Sequence, residues 1–321
     1  MNVRVSIIIP IYNVEQYIAK CAHSLFKQTY QHIEFIFVDD FSSDSSMFIL
    51  KKIMEEYSNR VGQIILIKKE KNEGLPQARK TGFEKSTGDF IIYADSDDWL
   101  ELDMIEKMAK KAIQENADIV WCDYFENEKY MTACPKTDDK TEIFKGFFNF
   151  DLHSSVCNKL VKREVYSNKI YFPNAMQNED FVISIQNLFY AKKVSFINEA
   201  LYHYRINSNS LSFSRERLAK RASESYENFI WIVNFLKDKF GDNLNFLEPH
   251  LSYRINFTKM KIMEAEETRD VKKLYELYPN SLNHLFIKYK KIITFVQAVM
   301  LFLAMKNILF PYKLVDWWRG K

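Results

Sequence analysis

Hydrophobic and polar residues alternate in blocks along the first 125 residues of the chain. Short, continuous apolar runs are typical of strands buried on both faces, and the segments between them have helical spacing. The strands predicted in this way are 5–12, 33–40, 62–70, 88–95 and 117–125, and the predicted helices are 14–28, 43–57, 75–86 and 101–115. Strands separated by helices of this length form right-handed crossovers. We therefore predict an α/β fold with a mostly parallel sheet flanked by helices.

The pattern changes in the second half of the chain. Residues 126–145 are polar and poorly periodic, which predicts a surface loop, and 143–212 mixes short strands and helices. From about 215 to 279 the spacing is helical. We predict two domains, 1–212 and a helical C-terminal region, 213–321.

The charge of the chain is nearly balanced but unevenly distributed. The formal net charge is +3, which gives no overall attraction to nucleic acid. Residues 285–321 carry seven Lys or Arg and one Asp, around a 14-residue apolar run at 292–305 that is shorter than the roughly 20 residues a membrane span needs. Basic flanks with Trp317 and Trp318 favour a segment that lies on an anionic membrane surface. A buried helix or a homo-oligomerisation face remains the alternative.

The cysteines and the N-terminus indicate the compartment. The four cysteines have no C-x-x-C spacing, and the apolar run after the N-terminus is short and broken by Pro10. These features predict free thiols in a reducing cytoplasm, without a secretory leader or a structural zinc site.

Polar clusters follow the predicted strands, where doubly wound sheets bind their ligands. These clusters are 10–13, 38–44, 71–79 and 95–98. The last holds Asp95, Asp97 and Asp98, whose mutual repulsion a divalent cation would offset. Carboxylate oxygens suit Mg²⁺ or Mn²⁺, which commonly also bind substrate phosphates. The chain has neither a G-x-x-x-x-G-K-[ST] loop nor a G-x-G-x-x-G motif after the first strand, which disfavours a P-loop NTPase and a dinucleotide-binding dehydrogenase.

Seven segments, in this order, resemble the family 2 glycosyltransferases of the GT-A fold. They are "VSIIIPIYN", "SLFKQTYQHIEFIFVDDFSSDSS", "NEGLPQARKTG", "GDFIIYADSDDWL", "CNKLVKREV", "NEDFVISIQNLFYAKKV" and "LYHYRINSNSLS", and they cover roughly residues 3–212. The resemblance implies an inverting enzyme that uses a nucleotide sugar, with a UDP-sugar expected here. One departure is Phe41, where the family commonly has glycine after the aspartate pair.

The resemblance also implies roles for donor-binding residues. Pro10, Tyr12 and Asp40 would line the nucleobase pocket. Asp95 would approach the ribose or uridine side, and Arg79 would lie near the nucleotide and its phosphates. Arg205 and Ser210 would lie over the diphosphate.

Catalytic and metal-binding roles follow from the same resemblance. Asp180 matches the general base, and Glu179 would contact the acceptor. Asp97 would bind the divalent ion, with Asp98 nearby. His203 is a candidate second ligand, and a packing role for it is an equal alternative. Lys159 either braces the core or touches substrate.

The resulting functional prediction is a metal-dependent hexosyltransferase. It would glycosylate a hydroxyl of a glycan acceptor, a lipid-linked oligosaccharide in capsule or other surface polysaccharide biosynthesis, at the inner face of the cell membrane. Two alternatives stay open: a nucleotidyltransferase, and a catalytically inactive relative that binds sugar or acts as a scaffold. A nucleotidyltransferase should carry a Gly-rich basic loop after the first strand, and "PIYNVEQY" has no Gly, Lys or Arg.

Overall fold

The computed structural model of the protein describes residues 3–167, 169–206, 218–247, 250–251 and 254. The strands are β1 Val5–Ile11, β2 Ile33–Asp39, β3 Ile64–Lys68, β4 Phe90–Tyr93, β5 Trp99–Leu100, β6 Ile119–Glu126, β7 Lys129–Met131, β8 Lys159–Lys162 and β9 Val194–Tyr204. The α-helices are α1 Ile18–Phe26, α2 Ser46–Glu56, α3 Leu75–Lys85, α4 Met104–Glu115, α5 Lys140–Phe148, α6 Arg163–Tyr166, α7 Glu179–Tyr190 and α8 Leu218–Phe240. Short 3₁₀ helices occupy Ser58–Gln63 and Gly241–Phe246.

The nine strands found among the described residues form one sheet. Their order is β3-β2-β1-β4-β8-β6-β9-β5, and β7 also pairs with β6. Neighbouring strands from β3 to β4 are parallel, as are β6 and β9. Strand β8 runs antiparallel between β4 and β6. The predicted α/β class is confirmed, with a parallel sheet up to β4 and mixed pairing beyond it.

Helix α3 packs unusually close to the central strand β1. Every residue of β1 is buried, as its continuous apolar run predicts. A Cβ atom built on Gly82 of α3 would lie 2.3 Å from Cγ2 of Ile8. The helix therefore depends on glycine at this position to reach its place on the sheet. This packing determines where Arg79, one turn earlier on α3, lies beside the strand ends.

Two features differ from the sequence predictions. Helices α1, α2 and α4 begin three or four residues later than predicted. The loop predicted at 126–145 is wrong in part, because Lys129–Met131 forms β7 and α5 begins at Lys140. Asn127 and Glu128 have φ of 44° and 67°, the left-handed conformation of a two-residue hairpin turn. A strand of three residues, Lys-Tyr-Met, is too short to show a period, so this pairing was not visible in the sequence.

The described residues divide into two compact units. One holds the sheet and consists of 3–140, 152–174 and 179–206, and the other contains 141–151, 175–178 and the described residues from 218 onward. Within the second unit, Nδ2 of Asn228 on α8 donates to the carbonyls of Ala175 at 3.0 Å and Gln177 at 2.8 Å. Among the helices of the described part of the chain, none has the length and apolar character needed to cross a membrane. The predicted domain boundary at 212 and the tail 285–321 lie outside the described residues and stay predictions.

Candidate active site

Parallel pairing brings the predicted polar clusters to one edge of the sheet. Tyr12 follows β1, Asp40 follows β2 and Asp95 follows β4 by two residues. The amide of Asp40 donates to the carbonyl of Ile11 at 2.8 Å, which continues the β1–β2 pairing past the strands. Tyr12 is about half exposed, at 46%, whereas Asp40 is buried. These residues therefore lie at the same edge of the sheet, with Asp40 buried and Tyr12 facing solvent.

The carboxylate of Asp40 is occupied by donors from the loop before α3. The amides of Glu73 and Gly74 donate to it at 3.1 and 2.7 Å, and Nζ of Lys69 lies 3.0 Å away. Gly74, which precedes α3, has φ of 89°, a conformation that glycine adopts without strain. Asp40 thus holds the start of α3 at the site. Sequence reasoning did not assign a role to Lys69.

Arg79 connects the two acidic parts of the site. Its side chain is fully buried, and Nη1 donates to Glu179 at 2.9 Å and makes a short contact with Asp180. Nη2 donates to Asp95 at 2.9 Å. Burial by itself would lower the pKa of Arg79, but the three carboxylates, Asp180 foremost, raise it well above its usual value. The guanidinium is therefore a permanent cation that joins Asp95 to the predicted catalytic pair.

Glu179 and Asp180 occupy the first turn of α7, where the helix dipole favours negative charge. Burial, followed by the nearby Asp180, raises the pKa of Glu179. The side chain of Asp180 is 24% exposed and that of Glu179 is 10% exposed. Asp180 is therefore the member of the pair that is more open to a substrate.

A tight turn arranges the three aspartates after β4. The amide of Asp98 donates to the carbonyl of Asp95 at 3.1 Å. The Tyr202 hydroxyl donates to Asp98 at 2.7 Å and accepts from the amide of Asp95 at 3.1 Å. The amide of Arg205 donates to the second oxygen of Asp98 at 2.8 Å. Asp98 therefore joins the turn to the end of β9, and Tyr202 is a site residue that sequence reasoning missed, although it lies inside the "LYHYR" segment.

Asp97 is the aspartate best suited to a cation. Burial, with Asp95 as the next cause, raises the pKa of Asp97 to about 6. Nε of Arg205 donates at 3.1 Å to the main-chain carbonyl of Asp97 and leaves the carboxylate to other ligands. Among the described residues, no group of three or more His, Cys, Asp or Glu side chains is disposed to hold a metal. The aspartates do fit an ion that takes one or two protein oxygens and completes its shell with phosphate and water.

His203 is packed between aromatic rings. Its ring stacks on Trp99 at 4.7 Å and on Phe125 at 4.6 Å between centroids. Nε2 lies 2.7 Å from a carboxylate oxygen of Glu101. These contacts support the packing alternative more than the metal-ligand role.

The segment before β8 lies against Asp95. The thiol of Cys157 donates to Oδ2 of Asp95 at 3.4 Å, so this buried residue belongs to the site rather than to the core alone. Nζ of Lys159 contacts the carbonyl of Ser155 and Oδ1 of Asn158, the latter at 3.0 Å. Lys159 is buried over the ring of Trp121 at 3.8 Å. Its contacts support the bracing role.

The remaining predicted donor residues differ in how they are placed. Pro10 is buried within β1, opposite Val38 of β2. The guanidinium of Arg205 lies 4.9 Å from the ring of Tyr17. Ser210 lies outside the described residues.

Comparison with known proteins identifies a sequence family. The model of "Glycosyl transferase family 2" matches residues 6–178. Glycosyltransferase GlyG of Streptococcus pneumoniae is 31% identical over 84% of this chain and 94% of its own length. Glycosyltransferase GlyA of the same organism is 32% identical over 65% of this chain. Putative glycosyltransferase EpsH of Bacillus subtilis is 34% identical over 69% of this chain. The chain spans only 31% of GlyA and 65% of EpsH.

Solved structures share the fold. S. aureus TarS 1–349 in complex with UDP superposes with a TM-score of 0.60 at 19% identity, over 99% of this chain and 92% of that one. Mannosyltransferase PcManGT from Pyrobaculum calidifontis, in complex with GDP-Man and Mn²⁺, gives a TM-score of 0.58 at 14% identity, over 100% and 89%.

Proposed function

Because this chain belongs to glycosyl transferase family 2, we propose that it is an inverting glycosyltransferase that moves a sugar from a nucleotide donor to a glycan hydroxyl. The observation that carries the proposal is the buried Arg79, which joins Asp180 to Asp95 at the carboxyl edge of the sheet. Burying Arg79 together with its acidic partners has a large desolvation cost, which only their mutual contacts offset. Such an arrangement suits a transferase, because the general base and the donor site must be held in a fixed relative geometry.

The donor is expected to lie along the edge from β2 to β9. Pro10, Tyr12 and Asp40 would receive the nucleobase and Asp95 the ribose. Arg79 is buried, so its effect on the nucleotide would pass through Asp95 rather than through direct contact with phosphate. The UDP complex of TarS supports a UDP-sugar as donor. Arg205, with Ser210, would lie over the diphosphate, where a guanidinium binds phosphate oxygens well.

A divalent ion, Mn²⁺ or Mg²⁺, would be held by Asp97 with help from Asp98. When bound, such an ion stabilises the negative charge of a departing diphosphate. The Mn²⁺ complex of PcManGT supports this assignment. The protein contributes a partly buried carboxylate beside the turn that Asp98 and Tyr202 hold in place.

The transfer would occur in one displacement. The acceptor hydroxyl gives its proton to the carboxylate of Asp180, and its oxygen bonds to the anomeric carbon. The bond from that carbon to the diphosphate breaks, and the electron pair leaves with the diphosphate. The configuration therefore inverts, and no enzyme nucleophile is required. Glu179, beside the base, would contact the acceptor.

The acceptor is proposed to be a lipid-linked oligosaccharide of surface polysaccharide biosynthesis. The basic, apolar tail at 285–321 supports a peripheral position at the inner face of the cell membrane. The same tail is also suited to contacts between copies of the chain.

A donor-hydrolysis assay tests the proposal. The full chain is incubated with a panel of nucleotide sugars and Mn²⁺, Mg²⁺ or EDTA, and nucleotide release is measured alongside UDP binding. Metal-dependent release of UDP from one sugar supports the proposal. Asp97→Asn should abolish the metal-dependent release of UDP. The control is Asp139→Asn, which removes a carboxylate between β7 and α5 and should leave this release unchanged. Failure to bind any nucleotide would refute the transferase function, and binding without turnover on any acceptor would favour the inactive relative.

A further inference from the structure

Phe41 has an unfavourable backbone conformation at the edge of the sheet. Its φ is 70°, in the left-handed region that a bulky residue rarely adopts. Such a conformation costs on the order of 1 kcal/mol or more for a non-glycine residue. The ring of Phe41 is also 50% exposed, so burial of the side chain does not repay this cost.

The turn at residues 39–42 accounts for the positive φ of Phe41 but not for the presence of an aromatic side chain there. The carboxylate of Asp39 accepts from the amide of Ser42 at 2.8 Å, which closes the turn around Phe41. Glycine would adopt this φ without strain. A phenylalanine at this position is therefore expected to serve a purpose outside the fold of the free protein.

The loop that carries Phe41 is joined to the loop after β1. The amide of Ser43 donates to Oδ1 of Asn13 at 2.9 Å, and the amide of Glu15 donates to Asp44 at 2.9 Å. The half-exposed Tyr12 lies directly before Asn13. Two aromatic side chains are thus presented at the ends of neighbouring parallel strands, on loops that support each other.

Asp40, which directly precedes Phe41, has little hydrogen-bonding capacity left. Oδ1 accepts from the amide of Glu73 and forms an ion pair with Nζ of Lys69 at 3.0 Å, and Oδ2 accepts from the amide of Gly74. A carboxylate offers about four acceptor positions, so roughly one remains for a ligand. One acceptor position distinguishes nucleobases only weakly.

We propose that Phe41 is a nucleotide-binding residue whose ring stacks on the nucleobase of the donor, beside Tyr12. This inference rests on the proposed function, since it assumes a nucleotide donor. Stacking acts on the π face that every base possesses, so Phe41 contributes affinity without selecting the base. When the base covers the ring of Phe41, the stacking contact offsets the backbone strain of this residue and removes its apolar ring from solvent.

The test compares Phe41→Gly and Phe41→Ala in the full chain. Binding of UDP, CDP and GDP is measured by calorimetry, and thermal unfolding is measured without nucleotide. Both variants should bind every nucleotide about tenfold more weakly or worse, with the ratio between bases unchanged. Phe41→Gly should unfold at the same or a higher temperature than the original protein, because it removes the strain. Phe41→Trp should retain affinity.

A matched control is Phe48→Ala. Phe48 is 60% exposed on α2, with Nζ of Lys52 lying 4.5 Å from its ring centroid, and its loss should leave nucleotide affinity unchanged. Unaltered UDP affinity in a folded Phe41→Gly variant would refute the stacking role and leave the transferase proposal intact. Absence of nucleotide binding by the original protein would instead refute the proposed function and the stacking role together.

Discussion

At the level of single residues, Asp180→Asn separates chemistry from binding. Asparagine keeps an oxygen that accepts from Arg79, but it cannot take the acceptor proton. We expect kcat to fall by about 10²- to 10⁴-fold, the usual contribution of a general base, while UDP affinity stays nearly the same. Steady-state kinetics and UDP calorimetry measure the two effects.

The control for this prediction is Asp103→Asn. Asp103 is an exposed carboxylate that pairs with Lys107 at 2.8 Å, and its replacement should leave kcat unchanged. If Asp180→Asn lost UDP binding, the role of Asp180 would be structural. If it retained kcat within about tenfold of the original, another residue would be the base.

Lys159 should make stability depend on pH. Burial lowers the pKa of Lys159 to about 7, whereas the unfolded chain holds the proton up to about 10.5. Between these values the unfolded state binds more protons, so the contribution of Lys159 to the free energy of unfolding rises with pH. The expected slope is on the order of 1 kcal/mol per pH unit.

The measurement compares the original protein with Lys159→Met in urea at pH 7, 8 and 9. The methionine variant loses contacts and is expected to be less stable throughout, so the informative quantity is the difference in slope. The stability difference between the two proteins should widen as pH rises. Parallel curves would mean that Lys159 remains charged in the folded protein.

The residue types of the site were predictable, but their partners were not. Asp95, Asp97 and Asp98 follow an apolar run, which locates them at a strand end without a structure. Cys157 and Tyr202 contact the same turn from 62 and 107 positions away in sequence. Contacts of this kind depend on β8 and β9 entering the sheet, which the local pattern does not encode.

At the level of secondary-structure elements, Gly82→Ala tests the packing of α3. The added Cβ would lie 2.3 Å from the rigid branch of Ile8, so the helix must move away from β1. Overpacking costs about 1–3 kcal/mol, partly offset by the better helix propensity of alanine. We expect a lower free energy of unfolding, measured in urea, and a lower kcat because Arg79 moves with the helix.

Gly62→Ala is the matched control for this substitution. A Cβ on Gly62 would meet nothing within 4 Å. The control should change the free energy of unfolding by no more than about 0.5 kcal/mol. Equal stability of both alanine variants would show that the contact of α3 with β1 is not close.

The prominent elements follow from local patterns and the minor ones do not. Strands β1, β2 and β4 are continuous apolar runs, and their existence was predicted correctly. Strand β5 has two residues and β7 has three, too few to show a period. They exist because β9 and β6 offer them hydrogen-bonding partners.

At the level of the whole molecule, the tail at 285–321 is predicted to bind anionic membranes. The triple substitution of Lys288, Lys290 and Lys291 by glutamine in the full chain should abolish sedimentation with vesicles that contain phosphatidylglycerol. Each basic residue near such a surface contributes about 1 kcal/mol, so the loss should exceed about 100-fold in affinity. Vesicles of phosphatidylcholine alone should bind neither protein strongly.

A second triple variant, in the sheet-containing unit, controls for total charge. It carries glutamine at the exposed positions Lys51, Lys80 and Lys85 and should sediment with the anionic vesicles as the original does. Equal loss in both variants would indicate a general charge effect. No loss in either would favour the oligomerisation alternative, which analytical ultracentrifugation measures.

The family was predicted from the sequence, and the match of residues 6–178 confirms it. The sequence by itself determined the α/β class, the acidic strand ends and the membership in the family, because apolar periodicity and short motifs are local properties. Only the tertiary structure decided that Arg79 is buried among Glu179, Asp180 and Asp95, that Asp40 is occupied by the loop before α3, and that His203 lies between aromatic rings. These outcomes depend on side chains from distant segments competing for the same neighbours. Burial and the pairing of charge are settled only when all the strands and helices are packed.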